Sequence, residues 1–302
     1  MDTKIVIGIC TRNRPVSLKL TLQSIKKAKV ENFQIIICDS SDGDIFDLNK
    51  QVIYEMFKGS GIHLKSPPGL ALQRNKILEK IREKFEYIYF LDDDVEIDED
   101  YYDKLNNIFR SQKDIGIIGA KIRNIPSPLF PLRKQGKVLK SGKCVGIYNL
   151  KGDNYVDWTP GLSLSIRLSS ITNLHFDERR KGNSIGEDAD FCLKAGKQTK
   201  ILWTDKTSLK HHVDPIGRDH VKKYVYASNY HRYLLKVDFP DKVNRINIIA
   251  SNLGDTLVSF VLLFIRKDKK YYHIAINHIS FLFFSYLYFR NLGAISDRID
   301  KM

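Results

Sequence analysis

Three acidic residues in a row, Asp92-Asp93-Asp94, follow directly on the apolar run Glu86–Leu91. Carboxylates this crowded repel one another unless a cation or basic side chains offset their charge. A hard divalent ion bound with nucleotide phosphates takes one or two carboxylates, with phosphate oxygens and water completing its shell. In an extended chain Asp92 and Asp94 point to the same side, so the two can share one nucleotide–metal unit. The same run also fits a solvated acidic turn leading into a helix near Asp98. A second acidic group, Gly186-Glu187-Asp188-Ala189-Asp190, opens a short helix. A carboxylate there can take the proton of an attacking hydroxyl, or simply favour the helix N-terminus. His211-His212 follow a strand. A neutral imidazole can complete a metal's coordination, or lie partly buried with no ligand. Arg12, Arg14, Arg74 and Lys65 are candidate phosphate partners, and each also fits a solvated cation.

The elements that must position these residues alternate in type. Lys4–Cys10 (KIVIGIC), Phe33–Cys38, Gly61–Lys65, Glu86–Leu91 and Ile115–Ile122 read as strands, most of them β-branched and apolar enough to be covered on both faces. Between them lie helical stretches. The first opens at Pro15, with Val16, Leu18, Leu20, Leu22 and Ile25 as its apolar side. Asp44–Lys58, Gly69–Lys84 and Asp98–Arg110 follow. Short β-α-β crossovers of this kind predict a mostly parallel, Rossmann-like sheet wrapped by helices. In such sheets the ligand sits outside the carboxyl ends of the strands. Thr11–Arg14, Asp39–Asp42 and Asp92–Asp94 all fall at those ends.

Beyond Ile122 the pattern changes. Arg123–Asp157 is irregular, basic and rich in proline and glycine, and reads as an excursion over the site. Trp158–Arg167 ends in an alternating strand, and Lys200–Trp203 and Ser208–His212 read as two short ones. Asp219–Lys236 is helical, and Ile246, Ile249, Leu253, Leu257, Phe260 and Phe264 recur at helical spacing. Tyr271–Phe289 carries no charge and is barely long enough to span a bilayer, but His273, Asn277 and His278 argue against insertion. A helix lying in the membrane interface fits it better, helped by Arg266, Lys267, Lys269, Lys270 and Arg290. A homodimer contact or a core-capping subdomain is the alternative.

The 302-residue chain has an ordinary globular composition, 43% hydrophobic and 28% charged. Its formal charge of +14 points to a polyanionic partner, either a membrane face or a phosphate-bearing substrate. No nucleic-acid motif is present, so nucleic acid is not an expected partner. Cys10, Cys38, Cys144 and Cys192 form no zinc-spaced pair. Buried, reduced thiols and the lack of a signal peptide predict a cytoplasmic protein, working at the cytoplasmic face of a membrane.

The stretches IVIGICTRNRP, IIICDSSDGD, PPGLALQRN, YIYFLDDDV, WTPGLSLSIR, SIGEDADFCLKA and SLKHHV, over roughly residues 3–215, resemble the inverting glycosyltransferase family 2 in order and spacing. The resemblance implies a GT-A nucleotide-diphospho-sugar transferase fold. Residues 1–215 would be the catalytic domain, with 1–122 its nucleotide-binding half and 123–215 its acceptor half, and 216–302 would be C-terminal helices. It implies that Thr11, Arg12 and Arg14 border the nucleotide and that Asp39 binds the base, usually uracil or a related pyrimidine. Arg74, with Asn75 beside it, would line the donor pocket. Asp92 and Asp94 match Asp-x-Asp: Asp92, with Asp93 beside it, would meet ribose or metal, and Asp94 would hold Mg2+ or Mn2+. Asp188 matches the general base, with Glu187 next to it. His211 would approach the metal, or His212 in its place. Trp158 and Gly161 would shape the acceptor side.

The implied reaction moves one sugar from a nucleotide diphosphate donor, UDP- or dTDP-sugar, to a hydroxyl of a glycan or lipid-linked acceptor. A catalytically inactive nucleotide-sugar-binding membrane scaffold is the competing reading. A base at Asp188 speaks against it. A nucleotidyltransferase would want a glycine-rich loop after the first strand, where Thr11-Arg12-Asn13-Arg14-Pro15 has no glycine.

Overall fold

The computed structural model describes residues 5–28, 32–58, 60–81, 85–126, 128, 134–217, 219–288 and 292–302. Lys4, the end of the helix expected to run to Lys84, parts of the stretch 123–157, and Phe289 with Arg290 lie outside them. The chain divides into two compact units. The first comprises Met1–Lys137, Gly146–Asp177 and Glu187–Gly217, and the second Val138–Val145, Glu178–Gly186 and Arg218–Met302.

In the first unit β1 (Ile5–Thr11), β2 (Phe33–Asp39), β3 (Gly61–Lys65) and β4 (Tyr87–Asp92) run parallel in the order β3-β2-β1-β4. Both faces of β1 are buried. Ile5, Ile7 and Ile9 enter one apolar layer and Val6 and Cys10 the other, the period-two signature of a strand covered on both sides. The register sets Thr11 beside Asp39 and Cys10 beside Asp92, so the three polar segments share one edge of the sheet.

The next strand departs from the expected parallel run. β6 (Ile115–Ile122) does not pair with β4: β8 (Ser163–Arg167) lies between them, antiparallel to both. The two strands expected at 200–203 and 208–212 are one, β9 (Lys200–His211), parallel to β6 and bridging an irregularity between Ala120 and Lys121. A short β5 (Val95–Ile97) pairs with its far end and places Val95 opposite His211. A two-residue β7 (Asn154–Tyr155) also joins β9.

Helix α1 (Pro15–Lys27) has Pro15 in its first turn and buries Leu18, Thr21, Leu22, Ser24 and Ile25. Val16 and Leu20, expected on that face, are exposed at 72% and 50%. Spacing explains this, because a residue two positions from Leu18 is turned by about 200° around a helix. Then come α2 (Gly43–Phe57), α3 (Leu70–Ile81), α4 (Tyr101–Ser111) and α5 (Glu187–Ala195). α4 starts three residues later than its acidic approach suggested, because the Asp98 carboxylate accepts the N–H and hydroxyl of Ser208.

The second unit contains α6 (Val221–Asp238), α7 (Arg245–Arg266), α8 (Lys270–Tyr288) and α9 (Leu292–Asp300). α9 was not anticipated. No disulfide joins the four cysteines, three of them buried.

Candidate active site

The end of β1 is tied to the acidic turn after β4. Thr11 Oγ1 donates to Asp93 Oδ2 at 2.6 Å, and Arg14 Nη1 lies 3.1 Å from Asp93 Oδ1. Asp93 is buried. Burial pushes it up to about 7, with Arg14 and Thr11 pulling the other way. Arg14 also donates to the Ile216 carbonyl. Thr11, Arg14 and Asp93, expected around the nucleotide, are therefore bonded to one another and to the segment after β9. Arg12 is exposed.

The turn swings Asp94 away from the β4 line. His211 Nε2 lies 3.1 Å from Asp94 Oδ1, and the Asp214 N–H donates to Asp94 Oδ2 at 2.9 Å. The Asp94 carbonyl accepts from the His212 N–H. One ligand atom each from Asp92, Asp94 and His211 lies within 4.8 Å of the others. His212 is not in this group; its Nε2 pairs with Glu96 at 3.2 Å, because neighbouring residues of the strand end point to opposite sides. Two carboxylates and one imidazole, half-buried to buried and converging, are a donor set that suits Mn2+ or Mg2+.

Helix α3 supplies three consecutive buried polar residues, each bonded to a different part of the unit. Gln73 Nε2 donates to the carbonyls of Thr11 at 3.1 Å and Cys38 at 2.7 Å. Asn75 exchanges two hydrogen bonds with the backbone of Phe176. Arg74, 2% exposed, donates to Glu187 and, at 3.3 Å, to Asp92 Oδ1. Phe90 and Phe176 lie 5.6 and 5.4 Å from its guanidinium carbon. Burial opposes the charge on Arg74, but Glu187 and Asp92 beside it raise its pKa. Glu187 is pushed up to about 8 by burial, against the pull of Arg74. Removing one partner of a buried pair costs about 3–5 kcal/mol, so each of these groups depends on the others.

Asp188 stands next to this bridge at the start of α5. Its Oδ2 accepts the Gly161 N–H at 3.0 Å and its Oδ1 the Ala189 N–H at 2.7 Å. Loss of water raises its pKa, with those two N–H groups pulling it back. Trp158 is half-buried against the apolar layer, and Gly161 touches Arg74. Arg74 thus joins the helix start bearing Asp188 to the cluster of Asp92, Asp94 and His211.

Asp39 is fully buried. Its carboxylate accepts from the Ser41 N–H at 2.7 Å and Asn49 Nδ2 at 2.8 Å, and lies 3.0 Å from His63 Nε2. Burial raises its pKa, but the bonds from His63, Ser41 and Asn49 outweigh it and the net shift is downward. Phe46 stacks on His63 with centroids 4.2 Å apart, and Lys65 Nζ lies 4.0 Å over the Phe46 ring. Lys65 also donates to the Ser41 carbonyl at 2.8 Å.

His63, Asn49, Gln73 and Asp214 escape a reading of the sequence. Only the parallel pairing of β3 with β2, Ile37 opposite His63, brings that histidine near the edge.

The family model for glycosyl transferase family 2 matches residues 6–163. No curated protein matches the chain. Among solved structures, residues 1–349 of S. aureus TarS align at 15% identity and TM-score 0.53, covering 77% of this chain and 65% of that one. The same fragment in complex with UDP aligns at 16% identity and TM-score 0.53. GalNAc-T7 with UDP, GalNAc and Mn2+ aligns at 15% identity and TM-score 0.58, covering 80% of this chain and 51% of that one. The chain therefore spans less than two thirds of the length of these structures, and the likeness is one of fold, the GT-A fold. With more than half of its length matched by the family model, the chain belongs to glycosyltransferase family 2.

Proposed function

We propose that the protein is an inverting, metal-dependent glycosyltransferase that moves one sugar from a UDP- or dTDP-sugar to a hydroxyl of a glycan or lipid-linked acceptor. The observation that carries this reading is the Arg74 bridge, which makes one centre of Asp92 and the start of α5. Residues 1–215 carry the chemistry. Asp188 takes the proton of the acceptor hydroxyl, whose oxygen attacks the anomeric carbon. The bond from that carbon to the nucleotide diphosphate breaks on the opposite side, so a single displacement inverts the centre. Asp92, Asp94 and His211 would hold Mg2+ or Mn2+, whose charge offsets that of the departing diphosphate. Arg74 keeps Asp92 and Glu187 at a fixed separation. Asp39 with His63 borders the base, and Trp158, Gly161 and Glu187 flank the acceptor. Four cysteines free of disulfides fit a reducing compartment, hence the cytoplasmic face of a membrane.

Incubation with a panel of nucleotide sugars and a cell lipid extract, read by mass spectrometry, tests the reading. A mass increase of one sugar on an acceptor supports it. Donor binding with no transfer across the panel would support the inactive scaffold instead.

Two substitutions probe the centre. His211→Ala is expected to weaken Mn2+ binding by roughly 10–100-fold, the scale seen when a site loses a supporting group. His212→Ala, which loses only a surface pair with Glu96, should bind Mn2+ like the parent. Titration of Mn2+ by paramagnetic relaxation separates the two, and equal affinities would remove His211 from the ligand set.

Gly161→Ala would put a methyl 2.4 Å from Arg74 Nη1. The guanidinium is held by Glu187 and Asp92 and cannot swing away freely. A misplacement of about 1 Å can cost roughly 100-fold, so kcat should fall by about that factor in a folded variant. Unchanged kcat would show that Arg74 tolerates displacement.

A further inference from the structure

The second unit carries its polarity inside out along α7. Its buried residues are Ile248, Asn252, Thr256 and Ser259, three of the four polar. Arg232 of α6, itself buried, donates to Asn252 Oδ1 at 3.1 Å and to Asp255 Oδ2 at 2.9 Å. Lys143 pairs with Asp255 Oδ1 at 2.7 Å. The outward side is apolar. Ile246, Leu253, Leu257, Val261, Phe264 and Ile265 are between 49% and 81% exposed. Positions 246, 253, 257, 261 and 264 recur at steps of three, four and seven, so they form one stripe. At 1.5 Å per residue the helix is about 33 Å long. A helix on a water-soluble core shows the reverse arrangement, apolar inward and polar outward. A continuous apolar stripe of this length in water marks a surface that is covered in use.

Charge identifies the cover. Arg245 stands exposed at one end of the stripe, and Arg266, Lys267, Lys269 and Lys270 at the other, against the single acidic Asp268. Two copies packed stripe to stripe would bring like charges together at the ends. Anionic lipid headgroups would neutralise them.

We infer that α7 docks on an anionic lipid bilayer, lying along its surface with the apolar stripe among the upper acyl chains. The helix is long and apolar enough to cross a membrane. Crossing would carry Asp255, in mid-helix, and the Arg232 bound to it toward the bilayer centre, where charges are costly. Lying flat leaves that pair on the protein side. The helix of this inference is α7, which precedes the Tyr271–Phe289 stretch expected to lie in the membrane interface. The inference does not depend on the chemistry at Asp188.

The test is co-sedimentation of the full chain with phosphatidylcholine vesicles, with and without phosphatidylglycerol. The parent chain is expected to bind the phosphatidylglycerol vesicles and to bind less as salt rises. The L257E/F264E double variant, altered only at exposed positions, should lose roughly tenfold or more in affinity. K267E/K269E should weaken binding to anionic vesicles and leave binding to neutral ones unchanged. Circular dichroism on each variant checks the fold. The inference is overturned if the parent does not sediment with vesicles or if L257E/F264E binds as well as the parent. It also fails if light scattering shows a dimer that L257E/F264E dissociates while vesicle binding persists. Loss of sugar transfer with vesicle binding intact would strike the transferase reading alone.

Discussion

Asp188→Asn is expected to lower turnover by roughly 10²–10⁴-fold, the usual contribution of a positioned base, while nucleotide-sugar binding is retained. The substitution is nearly isosteric. The amide oxygen can still accept one of the two N–H groups, from Gly161 or Ala189, that the carboxylate now accepts. The other N–H faces an amide nitrogen, and losing that bond costs about 1–3 kcal/mol, so the fold should survive. The pH profile gives a second reading of the same residue. A base works only when deprotonated, and the pKa of Asp188 is raised by loss of water around it. The acid limb of kcat/KM should therefore lie above pH about 4, where an exposed aspartate titrates, with activity falling as pH drops through it. In Asp188→Asn that limb should vanish from the residual activity. A variant that keeps full turnover, or keeps the same limb, would take the proton-accepting role away from Asp188.

Chelation is the second large effect. Excess EDTA should lower turnover by at least roughly 100-fold, and added Mn2+ or Mg2+ should restore it. The expectation rests on the convergence of Asp92, Asp94 and His211 and on the buried setting of Asp94, whose second oxygen is held by the Asp214 N–H. Asp94→Asn should act like EDTA but resist rescue by added metal. A readout apart from activity is the melting temperature. Mn2+ that binds only the folded chain should raise the Tm of the parent, increasingly so as its concentration passes the Kd, and much less that of Asp94→Asn. Full activity in EDTA, with no Tm response to Mn2+, would end the metal proposal and leave Arg14 and Arg74 as the cations that face these carboxylates.

The sequence was most readable where a strand ends in polar residues. Thr11, Asp39 and Asp92 follow uninterrupted apolar runs, and parallel pairing carries them to one edge. It was less readable where position depends on partners far along the chain. Nothing local to Ser163–Arg167 says that it inserts antiparallel between β4 and β6, because an alternating pattern reads the same in either direction. Arg74 and Glu187 are 113 positions apart, and no pattern near either announces their bond. The choice between His211 and His212 needed the pleat of a strand whose end cannot be set to one residue from sequence. Periodicity along α7 marks an apolar side, of which Ile246, Leu253, Leu257 and Phe264 are exposed, but not whether that side faces water, since a spacing gives a direction and not a surrounding.

Gln73, Arg74 and Asn75 occupy consecutive positions, and neighbours on a helix point about 100° apart. One turn of α3 therefore reaches three ways at once: to the carbonyls of β1 and β2, to the acidic pair, and to the backbone at Phe176. Such a hub makes its three functions inseparable. Rotating or shifting α3 to retune the charge at Arg74 would also loosen the strand ends and free Phe176. Under the proposed function, a change of acceptor would come from the rim, where Arg12 is exposed and Trp158 half-buried, while the hub stays as it is.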